Sequence, residues 1–173
     1  NNRNSFILLL YLNDFNFLNM LKDLVKCFKE NGFVTVPDVF SSSEIEFYRE
    51  VIKDAIRERK QNDLRTLKDK SEYEQSFIQC QNLWEDYPVI RKLTFDQRLG
   101  EIASALLGAS KLRVWHDQAL VKEAGGRETD PHHDQPYWPI KETNTITAWI
   151  PFCDVSEKNG QMGFYPGSHK VQE

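Results

Sequence analysis

Around Gly108 the apolar residues of this chain change their period, and that switch separates what its two halves can become. Before it, apolar residues recur every three or four positions. Leu21, Leu24, Val25 and Phe28 form one stripe, closed by Asn31-Gly32. Ile45, Tyr48, Ile52 and Ile56 form a second behind the capping box Ser41-x-x-Glu44, and Leu99, Ile102, Ala103, Leu106 and Leu107 form a third between the cap Asp96 and the stop Gly108. These stripes predict amphipathic helices over 20–31, 41–59 and 96–107. A short β-branched and aromatic run over 33–36, ended by Pro37, predicts a strand between the first two. Residues 57–75 are dense in charge without apolar period, which predicts a solvated helix end and a mobile loop. After Gly108 the pattern alternates. Residues 111–122 and 145–152 read as strands, and Asn159-Gly160 as a hairpin turn leading to a third strand over 161–165.

Helices in front and antiparallel strands behind predict a mainly β core carrying an N-terminal helical layer. The strands then run short: the C-terminal part supplies about four of the roughly eight that a jelly roll needs. With Glu173 following closely on the turn Pro166-Gly167-Ser168, the core is expected to be incomplete at its C-terminal side. A chain of 173 residues predicts a single domain. Its first 19 residues hold six of the eleven asparagines, and the composition changes at Met20, so 1–19 is expected to be a leader or non-native extension and 20–173 the domain. A short extra helix over 6–17 is the competing expectation.

Twenty-two basic residues against 26 acidic give a net charge of −4, which offers no electrostatic footprint for phosphate backbones or anionic membranes. Nucleic acid is not an expected partner. The apolar run over 6–12 falls well short of the about 20 residues that cross a bilayer, so no membrane partner is expected either. Cys27, Cys80 and Cys153 are far apart and odd in number, which fits the reducing cytoplasm better than a disulfide framework.

The residues richest in chemistry are Asp130-Pro131-His132-His133-Asp134-Gln135-Pro136-Tyr137-Trp138-Pro139. On an extended backbone, side chains two apart share a face, so the imidazole of His132 and the carboxylate of Asp134 can converge on one ion while His133 points away. Two such ligands and a second His from elsewhere make the facial triad that holds Fe(II) with open positions. Four histidines and twelve aspartates give roughly 0.3 chance occurrences of His-x-Asp, so its surroundings must carry the argument. The competing reading has His132 held by a loop carboxylate, Asp130 or Asp134.

Those surroundings are HHDQPYWP, the strand TAWIPFCDV, the segment EKNGQMGFYPGSHK, the upstream KLRVWHDQALVK and the opening KENGFVTVPDVFSSSEIEFYRE. In this order and spacing, over residues 21–170, they resemble the phytanoyl-CoA dioxygenase family of Fe(II)- and 2-oxoglutarate-dependent oxygenases. The resemblance implies a double-stranded β-helix (jelly-roll, cupin-like) core and His132 and Asp134 as the first two iron ligands. It also implies Fe(II) and 2-oxoglutarate as cofactors, with O2-dependent hydroxylation of a small organic substrate coupled to oxidative decarboxylation of 2-oxoglutarate. Related halogenases replace the carboxylate with a small residue, so Asp134 points to hydroxylation.

Trp149 matches the family's Ala-Trp tryptophan beside the cosubstrate pocket, and Gln118 sits where a cosubstrate-contacting side chain is found; packing within a core is the alternative for both. Tyr137 and Trp138 would line the iron site or form a structural aromatic pair. The family's distal His and its 2-oxoglutarate-binding Arg have no match within the chain. His169 falls in the Pro-Gly-Ser-His turn, and His116 reads as a satisfied strand histidine. With two ligands the chain is expected to be inactive alone. Two other functions remain open: a non-catalytic cupin-like binding module, or another metalloenzyme on this fold using zinc or manganese at His132, Asp134 and His116. Substrate identity and oligomeric state are not encoded in these motifs.

Overall fold

The computed structural model describes residues 15–171, with side chains from Leu21 onward. Its regular elements are α1 (Phe15–Asn31), α2 (Ser42–Lys60), β1 (Ile78–Gln81), α3 (Leu83–Asp86), α4 (Pro88–Thr94), α5 (Gln97–Leu107) and β2 (Gln118–Val121). Single 3-10 turns stand at Leu67–Asp69, Gln135–Tyr137, Glu157–Asn159 and Ser168–Lys170. The helix expected from Met20 begins earlier, at Phe15. Most of the anticipated leader, 1–14, lies outside the described residues, as does most of the competing helix over 6–17.

The helix termini follow the local chemistry. The first amides of a helix have no partner within it, so the side chains just ahead must accept from them. At α2, Glu44 N–H donates to Ser41 Oγ at 3.3 Å and Ser41 N–H donates to Glu44 Oε2 at 2.8 Å, closing the capping box reciprocally. At α5, Asp96 accepts from Arg98 N–H at 2.9 Å, and Gly108 ends the helix at φ +65°, where a side chain would be strained. Arg98 then ties both caps together. Its guanidinium donates to Glu44 at 2.7 Å, to Asp96 at 2.9 Å and to the Val39 carbonyl at 2.9 Å.

The core forms where α2 meets the ribbon. Ala55 and Ile56 pack with Cys80 of β1, Leu83 of α3 and Ile90 of α4, and Val51, Ile52, Ile78, Tyr87 and Ala119 close over them. β1 and β2 pair antiparallel, with Ile78 opposite Val121 and Cys80 opposite Ala119. Asp117, just before β2, locks the ribbon to the helices. Its carboxylate accepts from the first amides of α3 (Leu83 at 2.8 Å, Trp84 at 3.0 Å) and from the Thr94 hydroxyl at 3.0 Å.

The expectation of a mainly β chain is not met among the described residues. Their one sheet is two-stranded, and helices dominate. Of the strand expected over 111–122, four residues pair; 33–36, 145–152 and 161–165 lie outside any ladder. Alternation makes a segment suited to a sheet, but a strand exists only where a neighbour completes its backbone hydrogen bonds. Asn159-Gly160 does form a turn, with Gly160 at φ +86°, yet it closes a 3-10 turn rather than a hairpin. The core also draws on 78–93, for which the sequence reading assigned no element; Pro88 at a helix start and Ile90/Leu93 at helical spacing were the available signal.

The charged stretch expected to be mobile is cross-braced instead. Arg65 holds Asp63 and Glu74 together, at 2.8 and 2.7 Å. Lys70, only 9% exposed at its side chain, pairs with Glu123 at 2.6 Å, and Arg127 N–H donates to the Gln75 carbonyl at 2.9 Å. Together these bonds fix the segment that leads from β2 toward His132.

Candidate functional site

β2 ends at Val121, and the chain crosses a braced loop before reaching the His-x-Asp pair. Lys122 Nζ donates to the Arg127 carbonyl and the Thr129 hydroxyl, each at 3.0 Å, which folds the loop back on itself. Burial pushes the Lys122 pKa down. Asp134 then stands at the head of the 3-10 turn Gln135–Tyr137 with helical backbone angles, φ −70° and ψ −36°. The pair is therefore presented by a loop running into a tight turn, not by the middle of a strand.

The two side chains nevertheless converge. His132 Nε2 lies 3.4 Å from Asp134 Oδ1, and both side chains are about half exposed. The remaining polar atom of each is engaged elsewhere. His132 Nδ1 lies 2.8 Å from the main-chain carbonyl of Asp130. A carbonyl only accepts, so this bond puts a proton on Nδ1 and leaves Nε2 as the ring nitrogen turned toward the Asp134 carboxylate. Asp134 Oδ2 accepts from the Thr147 hydroxyl at 3.2 Å. The competing reading had a loop carboxylate, Asp130 or Asp134, holding His132; Asp130 meets it through its main chain only, whereas the 3.4 Å contact with Asp134 Oδ1 is the one that reading expected.

Two ligand bonds of about 2.1 Å at right angles place their donor atoms about 3.0 Å apart, and at the tetrahedral angle about 3.4 Å. An imidazole and a carboxylate are a donor set that suits a divalent cation; the observed 3.4 Å equals the tetrahedral spacing, and the right-angled spacing of a facial Fe(II) site would need the two to close by about 0.4 Å. Among the described residues, no group of three or more His, Cys, Asp and Glu side chains forms.

Aromatic rings flank the site. Tyr137 meets His132 edge to face with centroids 6.1 Å apart, and Trp138 meets His116 in the same manner at 6.1 Å. Gln118 uses both ends of its amide: Nε2 lies 2.8 Å from His116 Nε2, and Oε1 accepts from Gln79 Nε2. Trp149 is 39% exposed on the unpaired segment beyond Thr147. His169 lies elsewhere, its Nε2 3.2 Å from the Lys29 carbonyl at the end of α1. Sequence reasoning missed Thr147 and the Asp130 carbonyl. The period-two spacing of Thr145 and Thr147 was the available signal for the former; a main-chain acceptor leaves none.

The family profile for phytanoyl-CoA dioxygenase (PhyH) matches residues 28–173. The chain belongs to the phytanoyl-CoA dioxygenase family. It is 27% identical to the peroxisomal phytanoyl-CoA dioxygenase of Bos taurus over 158 residues, covering 84% of this chain and 46% of that protein. Against the ectoine dioxygenase of Sphingopyxis alaskensis the identity is 24%, over 83% of this chain and 48% of the relative. A probable alpha-ketoglutarate-dependent hypophosphite dioxygenase of Stutzerimonas stutzeri is 27% identical over 49% of this chain and 29% of its own. The chain thus spans about half the length of the first two of these relatives. No solved structure matches it. The motif-bearing segment 130–139 lies inside the family match, so membership and site geometry concern the same residues.

Proposed function

We propose that the whole protein is an Fe(II)- and 2-oxoglutarate-dependent dioxygenase that hydroxylates a small organic substrate, with His132 and Asp134 as two of its iron ligands on a jelly-roll core. The observation that carries this reading is the approach of His132 Nε2 and Asp134 Oδ1 to 3.4 Å, with the other polar atom of each already bonded. Membership of a dioxygenase family supports it.

Iron with 2-oxoglutarate supplies the activation of O2. The chain's own residues do the positioning. His132 donates through Nε2 because the Asp130 carbonyl holds its proton on Nδ1. Asp134 contributes a negative charge that offsets that of the cation. Gln118 and Trp149 would lie beside 2-oxoglutarate, and Gln118 would have to give up its contact with His116 to reach it. Tyr137, 75% exposed, offers an aromatic face next to the ligand pair. The relatives are named for phytanoyl-CoA, ectoine and hypophosphite, which share no common skeleton, so substrate choice is assigned to residues outside the shared motifs. No helix among the described residues is long and apolar enough to cross a membrane. Cys27, Cys80 and Cys153 are all free, which supports a reducing compartment such as the cytoplasm.

The test is succinate release from 2-oxoglutarate by the iron-loaded whole protein during a screen of small organic acids, amino-acid derivatives and acyl thioesters. Release that is stimulated by one substrate class, and abolished in both His132→Ala and Asp134→Ala, is expected. Metal binding without succinate would favour another metalloenzyme, and neither would favour a binding module.

A further inference from the structure

We infer that Thr147 is a positioning residue that makes Asp134 offer one defined oxygen to the metal; the inference rests on the reading of His132 and Asp134 as ligands. A carboxylate can hold a cation through either oxygen or both, and the terminal torsion of an aspartate is broad and nearly two-fold. The Asp134 side chain is 46% exposed, so packing alone does not choose between its oxygens. Thr147 does: its hydroxyl donates to Oδ2 at 3.2 Å, on the side away from the 3.4 Å approach of Oδ1 to His132 Nε2.

The neighbouring contact follows the same plan. Thr145 Oγ1 donates to Gln135 Oε1 at 3.3 Å, while Gln135 Nε2 donates to the Ile140 carbonyl at 3.3 Å. Two hydroxyls two residues apart thus fix two consecutive side chains of the turn, as a period-two segment with one face toward the site would. Threonine suits the task because its β-branched side chain is stiff at χ1, so the hydroxyl is already aimed. Asp130 and Thr147 become equivalent supports, one for each ligand. Such outer partners set ligand orientation, and their removal weakens metal binding by about 10–100-fold.

The experiment measures Co(II) affinity and the Co(II) visible absorption spectrum of the metal-free whole protein, its Thr147→Val and Thr147→Ser variants, and a His132→Ala control. Thr147→Val should weaken Co(II) binding by about 10-fold or more and change the spectrum, with the Tm of the metal-free protein unaltered. Thr147→Ser should recover most of the affinity. Val binding like the parent, Ser failing as badly as Val, or a loss that tracks a lowered Tm would each overturn the role of Thr147 and leave the ligand reading standing. A parent that binds no Co(II), or a His132→Ala variant that binds it unchanged, would instead remove the ligand reading and this inference with it.

Discussion

Arg98 concentrates more of the structure's charge chemistry than any ligand candidate. Its guanidinium lies over the Phe40 ring at 4.4 Å while pairing with Glu44 and Asp96. The Arg98 hydrogen bond, helped by the Ser41 amide and hydroxyl, holds the Glu44 carboxyl at about 2 against an ordinary 4.5. Arg98 lowers Asp96 as well. A carboxylate depressed on folding contributes stability that is present above its unfolded pKa and lost as pH falls through the folded one. Acid unfolding should therefore show stability declining from pH 4.5 toward about 2, and Arg98→Met should flatten that part of the urea-midpoint profile. Asp96→Ala removes the cap of α5 and should cost about 1 kcal/mol, read as a Tm lower by about 2–4 °C.

The C-terminus of α1 is finished by residues from the other end of the chain. Gly167 N–H donates to the Asn31 carbonyl at 2.8 Å, Lys170 Nζ to that of Glu30 at 2.7 Å, and the His169 ring to that of Lys29 at 3.2 Å. Three terminal carbonyls that a helix cannot satisfy internally thus gain partners. Phe33 stacks on Phe164 at 4.8 Å beside them. Gly32 makes the approach possible, since at φ +86° a Cβ would also come within 2.7 Å of His169 Cγ. Gly32→Ala should lose about 1–2 kcal/mol from the backbone alone and more from the overlap. Adding His169→Ala should return the overlap part and leave the backbone part, a pattern that urea denaturation of the four proteins would show as non-additivity. In the core, Leu83 is 1% exposed, and Leu83→Ala should cost about 2–5 kcal/mol.

For the molecule entire, the candidate ligand pair and the unpaired strand-like segments point the same way. Leu112, Val114, Trp115, Leu120, Val121, Phe164 and Tyr165 are exposed on or near chain that lies outside a completed sheet. The chain spans about half the length of its phytanoyl-CoA and ectoine dioxygenase relatives. The 173-residue chain on its own should therefore self-associate with concentration in sedimentation velocity, because exposed strand edges and apolar side chains favour pairing. On the proposed reading, in which the whole protein releases succinate, this chain alone should release none. Succinate release by the monomeric 173-residue chain would refute both expectations.

The parts legible in the residue string were those whose causes lie within a few positions. The capping box at Ser41 and Glu44, the Asp96 cap and the Gly108 stop each depend on neighbours no more than four residues away, and the helices they bound stand where the apolar stripes put them. The approach of His132 to Asp134 was legible for the same reason, although a turn and not a strand delivers it. Pairing was not legible. Alternation in 145–152 and 161–165 states a side-chain preference, whereas a strand also needs a second backbone at hydrogen-bonding distance, and that is a property of the assembled chain. Thr147 reaching Asp134, Asp117 capping α3, and His169 meeting the end of α1 are likewise contacts between segments that no local pattern links. Periodicity and capping follow from bonds along the chain; which distant groups come to share a site follows from packing, because only burial of the common core brings them within reach.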